Sequence, residues 1–121
     1  MLTLYEHPLS PYVQKVKIAL REKGIPFQAM TPNAIGSGAA AGAFLEANPR
    51  AEVPALVDGQ TRIFDSTVIL EYIEDSWPSP AMLPPTPAER ARVRMIEDVM
   101  DTQFEAINWG LSEIHRFKRA E

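Results

Sequence analysis

Apolar positions in the first 77 residues alternate between short continuous runs and stripes at helical spacing. The segment LTLYEH at residues 2–7 is a short apolar run, typical of a buried strand, and it ends at a proline. Ser10 and Pro11 then form a typical helix start, and aliphatic side chains recur every three or four residues until Gly24. The pattern therefore predicts a strand followed by an amphipathic helix over residues 11–23.

The same alternation continues as far as residue 77. The run IPFQAM at 25–30 predicts a second strand, parallel to the first across the helix in a βαβ unit. Asp58 and Gly59 separate two further apolar runs, which predicts an antiparallel hairpin with strands over 54–57 and 61–64. The remaining predictions are a loop over 31–42, a short helix over 40–48 and a helix over 66–77. The resulting order, βαβαββα, indicates an α/β domain.

A concentration of prolines separates this domain from the rest of the chain. Five of the eleven prolines lie between Pro78 and Pro87, which predicts a stiff linker over 78–86. Thr86, Pro87 and Glu89 then form a capping box, and a long helix is predicted over 87–121. Its apolar stripe is too broad for one helix to bury, so we expect a partner chain or further residues to cover it. The stripe comprises Val93, Met95, Ile96, Val99, Met100, Phe104, Ile107, Trp109, Leu111 and Ile114.

Composition narrows the classes of function. The 121 residues carry a net charge of -4, which disfavours nucleic acid and anionic membranes as partners. The absence of cysteine excludes disulfides, zinc–thiolate sites and redox chemistry through the protein's own thiols. Neither a signal peptide nor a membrane span is visible in the sequence, so the expected location is the cytoplasm.

Three motifs carry a resemblance to a known family. The segments LYEHPLSPYVQKVKIAL, NPRAEVPALV and FDSTVILEYIED are similar, in order and spacing, to the N-terminal half of cytosolic glutathione transferases. The resemblance implies a thioredoxin-like glutathione-binding domain over residues 1–77. It also implies that the helix over 87–121 is the first helix of an all-helical domain that is otherwise absent, so that the chain resembles a truncated member.

Such a site must keep the sulfur of glutathione as a thiolate. Lowering a thiol pKa from its usual 8.5 to 9 to about 7 requires roughly 2 to 2.7 kcal/mol. A helix N-terminus supplies about 0.3 to 1 kcal/mol, and a hydroxyl that donates to the charged sulfur supplies about 1.5 to 3 kcal/mol. Ser10 lies where that hydroxyl is needed, although a serine before a proline is also a common helix N-cap. Tyr5 is the competing donor, because several classes of the family use a tyrosine from this region.

The resemblance also assigns residues that hold the rest of glutathione. Val53 and Pro54 are similar to the family's cis-proline bend, which leaves the backbone of the preceding residue available to the cysteinyl part. Asp65 and Ser66 match the acidic residue and serine that hold the γ-glutamyl group, and a helix N-terminus suits its carboxylate. Asp65 could instead be a plain N-cap.

One position departs from the family pattern. Glu52 stands where many members have Lys or Gln available to the glycyl carboxylate, and Ala51 replaces a common glycine. Because two carboxylates repel, either Glu52 points away from the ligand or glutathione binds weakly. His7 and His115 form no metal-ligand spacing, and no metal site is expected.

The implied function is a glutathione transferase that adds the thiolate of its co-substrate, glutathione, to a small electrophile. A homodimer is expected from the family. The alternatives are a non-catalytic binding or regulatory module with the same fold, and a glutathione-dependent isomerase or peroxidase.

Overall fold

The computed structural model describes residues 1–33, 35, 42–105, 107–108 and 111–112. Their contacts divide the chain into two compact units, Met1–Met82 and Leu83–Glu121. The first unit contains, in chain order, β1 (Leu2–Tyr5), α1 (Pro11–Glu22), β2 (Phe27–Met30), α2 (Ala43–Ala47), β3 (Ala55–Asp58), β4 (Thr61–Phe64) and α3 (Ser66–Ser76). This is the predicted βαβαββα order, and the α/β, thioredoxin-like fold class is confirmed.

The four strands form one mixed sheet in the order β2-β1-β3-β4. The β1 strand pairs in parallel with β2, as predicted for a βαβ unit, and β3 pairs antiparallel with both β1 and β4. Tyr5 lies opposite Ala55, and Ala55 lies opposite Phe64. The ends of β1 and β4 and the start of β3 therefore lie along the same edge of the sheet.

The first helix begins and ends as its sequence indicates. Ser10 is the N-cap and Pro11 is the first helical residue. At the other end, Gly24 has a φ of 67° and its N–H donates to the carbonyl of Arg21 at 3.0 Å, while the N–H of Ile25 donates to the carbonyl of Leu20 at 2.9 Å. These two bonds are the Schellman arrangement, which needs a left-handed residue at this position.

Replacing Gly24 by alanine is expected to destabilise the fold through conformation alone. An added Cβ at Gly24 meets no atom within 4 Å, so no steric clash contributes. The left-handed conformation costs an alanine about 1 to 2 kcal/mol, and asparagine tolerates it better. Urea unfolding of Gly24→Ala and Gly24→Asn measures the difference, and an equal loss in the two variants would contradict the conformational explanation.

Several predicted boundaries were wrong by a few residues. The prediction for β2 began at residue 25, but Ile25 is used by the helix cap and Pro26 has no N–H to donate, so the strand begins at Phe27. The predicted first strand, 2–7, ends at Tyr5 because the chain then turns, with the N–H of Ser10 bonded to the carbonyl of His7 at 3.0 Å. The short helix predicted over 40–48 spans Ala43–Ala47, and residues 40 and 41 lie outside the described part of the chain.

The other first-unit elements match their predictions to within a single residue at each end. Helix α1 ends at Glu22 rather than at residue 23, and α3 ends at Ser76 rather than at residue 77. Strand β3 runs over Ala55–Asp58 rather than 54–57, and β4 occupies the predicted 61–64.

Two apolar clusters cover the sheet. The larger cluster joins the sheet to α1 and α3, and its buried members are Leu2, Leu4, Val13, Val16, Leu20, Ile25, Leu56, Ile69 and Ile73. The smaller cluster joins the sheet to α2, and its buried members are Tyr5, Phe44, Ala47, Ala51 and Ala55. Val53 packs against both clusters, so the residue before the Pro54 bend is held from two sides.

A tyrosine ties α3 to the β3–β4 hairpin. The hydroxyl of Tyr72 donates to Asp58 Oδ2 at 2.6 Å. This hydrogen bond, with a smaller effect of burial, raises the pKa of Tyr72 above its ordinary value. Because Tyr72 lies in the second half of α3, the bond holds that half of the helix against the β3–β4 hairpin.

The second unit begins with the predicted helix, which is interrupted by a wider turn, and the predicted part beyond residue 112 lies outside the described residues. Helix α4 spans Pro87–Val99 and a π-helical turn follows over Met100–Phe104. The predicted capping box is present, because Thr86 Oγ1 accepts from the N–H of Glu89 at 3.3 Å and donates to its carboxylate at 2.8 Å. The hydroxyl of Thr102 donates to the carbonyl of Asp98 at 2.7 Å, a bond that competes with the regular helical ladder.

The apolar stripe of this unit is exposed wherever it is described. Trp109 and Ile114 lie outside the described residues. The exposed members are Val93, Met95, Ile96, Val99, Met100, Phe104, Ile107 and Leu111. Within the described part of the chain, no helix has the length and apolar character needed to cross a bilayer.

Candidate functional site

The sheet topology brings the predicted site residues to one edge. Strand β1 leads to Ser10, β3 follows directly after Val53 and Pro54, and β4 leads to Asp65 and Ser66. Because adjacent strands lie about 4.8 Å apart, the row Tyr5–Ala55–Phe64 spans about 10 Å at this edge. Three separate chain segments therefore meet within the length of a small peptide.

Ser10 is a buried N-cap with a hydroxyl proton to spare. The residue is 4% exposed, and Oγ accepts from the N–H of Val13 at 3.3 Å. A hydroxyl can accept a hydrogen bond and donate another, so the capping bond leaves its proton available. His7 shapes the preceding turn, since its Nδ1 accepts from the N–H of Leu9 at 3.1 Å. The arrangement presents a donor at the positive end of a helix.

Tyr5 lies on the other face of the sheet from α1. Its ring contacts that of Phe44, with centroids 5.3 Å apart and planes tilted by 45°, and only 7% of the residue is exposed. The neighbouring Leu4 points into the larger cluster beneath α1, as alternation along a strand requires. The structure therefore packs Tyr5 against α2, while Ser10 caps α1.

The bend before β3 is held by a buried asparagine. The Val53–Pro54 peptide bond is cis and Pro54 is buried. Asn48 Nδ2 donates to the carbonyl of Glu52 at 2.9 Å, and Asn48 Oδ1 accepts from the N–H of Arg50 at 2.9 Å. In the described part of the chain, the backbone bonds outside helices and strands do not involve Val53.

Asp65 and Ser66 form the start of α3. Asp65 has a φ of 76°, and its Oδ1 caps the helix by accepting from the N–H groups of Thr67 at 2.9 Å and Val68 at 3.4 Å. The Asp65 side chain is exposed at this edge, whereas Ser66 is buried. Lys15 Nζ lies 3.5 Å from Thr67 Oγ1, which links the first turns of α1 and α3.

The position that departs from the family pattern is a surface position. Glu52 is exposed and contributes its carbonyl, not its carboxylate, to the bond with Asn48. Ala51 has a φ of 54°, so it adopts the left-handed conformation for which glycine is preferred. The guanidinium of Arg50 lies 5.2 Å from the centroid of the Phe64 ring. The segment thus places a cation, and not the Glu52 carboxylate, against the end of β4.

Sequence reasoning missed the part played by Asn48. An Asn-Pro pair is an ordinary turn signal, and it was available here. The sequence gives no indication that the side-chain amide of Asn48 would be fully buried. Nor does it indicate that this amide would bond to the backbone of Arg50 and Glu52, which lie between Asn48 and Val53. Among the described residues, no group of three or more His, Asp or Glu side chains is arranged to hold a metal ion.

Comparison with known proteins identifies the family. Residues 4–81 match the glutathione S-transferase N-terminal domain family. A stringent starvation protein A homolog from Coxiella burnetii is 35% identical over 104 residues, which are 86% of this chain and 48% of that protein. A maleylacetoacetate isomerase from Rattus norvegicus is 42% identical over 100 residues, 80% of this chain and 46% of that protein.

A solved structure agrees with these relatives. The glutathione S-transferase of Methylobacterium radiotolerans, crystallised with glutathione sulfonate, is 31% identical and superposes with a TM-score of 0.80 over 95% of this chain and 53% of its own. The fold is thus that of a thioredoxin-like domain of the glutathione transferase type. This chain belongs to the glutathione S-transferase family, and it spans about half the length of the curated relatives it matches.

Proposed function

We propose that the edge formed by Ser10, Val53 and Asp65 binds glutathione. We further propose that the chain is the glutathione-binding part of a transferase that adds the glutathione thiolate to small electrophiles. The observation that carries the proposal is the Ser10 hydroxyl, which caps α1 as an acceptor and retains a proton to donate. A thiolate at this point would receive that hydrogen bond and the field of the helix N-terminus together.

Two observations favour Ser10 over Tyr5 as the thiolate donor. Ser10 stands at the N-terminus of α1, where the helix dipole stabilises an anion. The ring of Tyr5 is packed against Phe44 in the cluster beneath α2. A tyrosine engaged in that cluster would have to leave its packing to reach a sulfur held at the start of α1.

The other two segments supply the remaining contacts in this proposal. The backbone of Val53 would pair with the cysteinyl part, while the hydroxyl and the N–H of Ser66, at the start of α3, would receive the γ-glutamyl carboxylate. Asp65 uses Oδ1 for the helix cap, and Oδ2 takes no part in that cap. The Asp65 carboxylate can therefore cap the helix and attract the γ-glutamyl ammonium at once.

The proposal extends to the whole protein. We assign residues 1–77 to the glutathione-binding domain, 78–86 to the linker, and 87–121 to the first helix of a helical domain. A homodimer in the cytoplasm is the proposed form. The exposed apolar stripe of the second unit is compatible with further burial in such an assembly.

Two alternatives have support in particular relatives. A non-catalytic binding or regulatory module is favoured by Glu52, whose charge would weaken glutathione binding, and it is compatible with the likeness to a stringent starvation protein A homolog, a name that specifies no reaction. A glutathione-dependent isomerase is favoured by the likeness to a maleylacetoacetate isomerase. The isomerase would use the same thiolate and differ only in its substrate, as would a glutathione-dependent peroxidase.

Retention on immobilised glutathione at neutral pH, with elution by free glutathione, tests the proposed binding. We expect the wild-type chain to be retained and Asp65→Asn to be retained less. Asparagine is an equally good N-cap but carries no charge for the ammonium, so the thermal stability of this variant should stay close to wild type. A wild-type chain that passes through the column unretained would favour the non-catalytic module.

A further inference from the structure

The loop between α2 and β3 is organised by a single buried side chain, Asn48. The residue is 2% exposed, and its side-chain amide forms two hydrogen bonds of 2.9 Å, one through Nδ2 and one through Oδ1. Its backbone is also used, since its N–H donates to the carbonyl of Phe44 and its carbonyl accepts from Ala51, both at 2.9 Å. A buried amide bonded in this way has one orientation available to it.

The acceptor of the Nδ2 bond determines where the next amide points. The carbonyl of Glu52 and the N–H of Val53 belong to one peptide unit, which is planar and trans. In a trans peptide the carbonyl and the N–H point in opposite directions. Because Asn48 holds the carbonyl of Glu52 on the inside of the loop, the N–H of Val53 must point outward, away from Asn48.

We propose that Asn48 is a positioning residue that aims the Val53 N–H at the cysteinyl carbonyl of bound glutathione. This inference rests on the proposed function, because the proposed function supplies the ligand for the Val53 N–H. Asn48 itself would not touch glutathione. Without the Nδ2 bond, the Glu52–Val53 peptide would be able to rotate and the outward N–H would no longer be preorganised.

The test is an isosteric substitution, Asn48→Asp. The carboxylate retains an acceptor for the N–H of Arg50 but places a second oxygen against the carbonyl of Glu52, where Asn48 has a donor. Losing a bond and leaving a polar group unpaired should weaken glutathione binding by about tenfold or more. The matched control is Asn108→Asp, the same change at an exposed asparagine in the second unit.

Amide chemical shifts of the isotopically labelled chain, recorded during titration with glutathione, separate positioning from a purely structural role. In the wild type and in Asn108→Asp, the amides of both Val53 and Ser66 should respond. In Asn48→Asp at saturating glutathione, the Ser66 response should remain and the Val53 response should be lost. A structural role alone would lower stability without separating the two amides.

Each result decides a different statement. Wild-type affinity and a wild-type Val53 response in Asn48→Asp would overturn the role given to Asn48 and leave the proposed function in place. A wild-type chain in which no amide responds to glutathione would overturn the proposed function itself, and the role of Asn48 with it. If the buried carboxylate prevents folding, the neutral variant Asn48→Ser, whose hydroxyl is too short to reach Glu52, provides the same comparison.

Discussion

Replacing Ser10 by alanine is expected to raise the pKa of the bound glutathione thiol by about 1 to 2, because a hydrogen bond to a charged group contributes about 1.5 to 3 kcal/mol. At neutral pH the thiolate fraction, and with it the rate of addition to an electrophile, should fall by about 5- to 50-fold from that of a thiol with a pKa near 7. The loss should shrink at alkaline pH, where the free thiol ionises unaided. Ultraviolet titration of the bound thiolate measures the pKa directly.

Two further variants test whether Ser10 acts as the thiolate donor and not only as the N-cap of α1. Ser10→Thr keeps a hydroxyl and should retain a low thiol pKa, while Tyr5→Phe should leave that pKa unchanged. Ser10→Ala also removes the cap of α1 and should cost about 1 kcal/mol in the free energy of unfolding, so its stability must be measured beside its thiol pKa. A raised thiol pKa in Tyr5→Phe, with Ser10→Ala unaffected, would reverse the assignment.

Replacing Lys23 by methionine should have the largest effect on stability. The Lys23 side chain is 1% exposed, and its ammonium meets the carbonyls of Trp77 and Pro80, each at 2.6 Å, and Glu74 Oε2 at 3.0 Å. Both oxygens of Glu74 accept from the N–H of Met82, at 3.1 and 3.2 Å. Removing the ammonium takes this contact away from the buried carboxylate of Glu74 and from the two carbonyls. We expect the free energy of unfolding to fall by about 3 to 5 kcal/mol.

Urea unfolding measures this loss against a matched surface pair. Arg62 Nη2 lies 3.7 Å from Glu46 Oε2, and the two side chains are 48% and 69% exposed. Arg62→Met should therefore lower the free energy of unfolding by no more than about 1 kcal/mol. The double variant Lys23→Met with Glu74→Leu should lose less than the sum of its single variants, because the buried carboxylate is removed together with its countercharge. Equal losses in the free energy of unfolding in Lys23→Met and Arg62→Met would show that the buried Lys23–Glu74 pair stabilises the fold no more than the surface pair does.

The sequence predicted those features that depend on neighbouring residues. The Ser10–Pro11 start, the Gly24 stop and the β3–β4 hairpin are each determined by residues a few positions apart. The first two lie where they were predicted, while the hairpin turn is one residue later than predicted, at Gly59 and Gln60, because Asp58 pairs with Thr61. The order of elements and the parallel pairing of β1 with β2 follow from the same local signals and from the handedness of a βαβ connection.

Features that depend on distant contacts could not be predicted in this way. Lys23 is 54 residues from the carbonyl of Trp77, and nothing in its helix distinguishes it from a solvated lysine at a helix C-terminus. The packing of Tyr5 against Phe44 depends on which face of the sheet α2 covers. The site residues were located only through the family resemblance, since a serine N-cap and an aspartate N-cap are common at helices of any function.

The most direct test is a crystal structure of this chain with glutathione bound. Our account predicts the sulfur within hydrogen-bonding distance of Ser10 Oγ, the cysteinyl carbonyl at the N–H of Val53, and the γ-glutamyl carboxylate at the start of α3. A sulfur held by the hydroxyl of Tyr5, or glutathione bound away from this edge of the sheet, would contradict it.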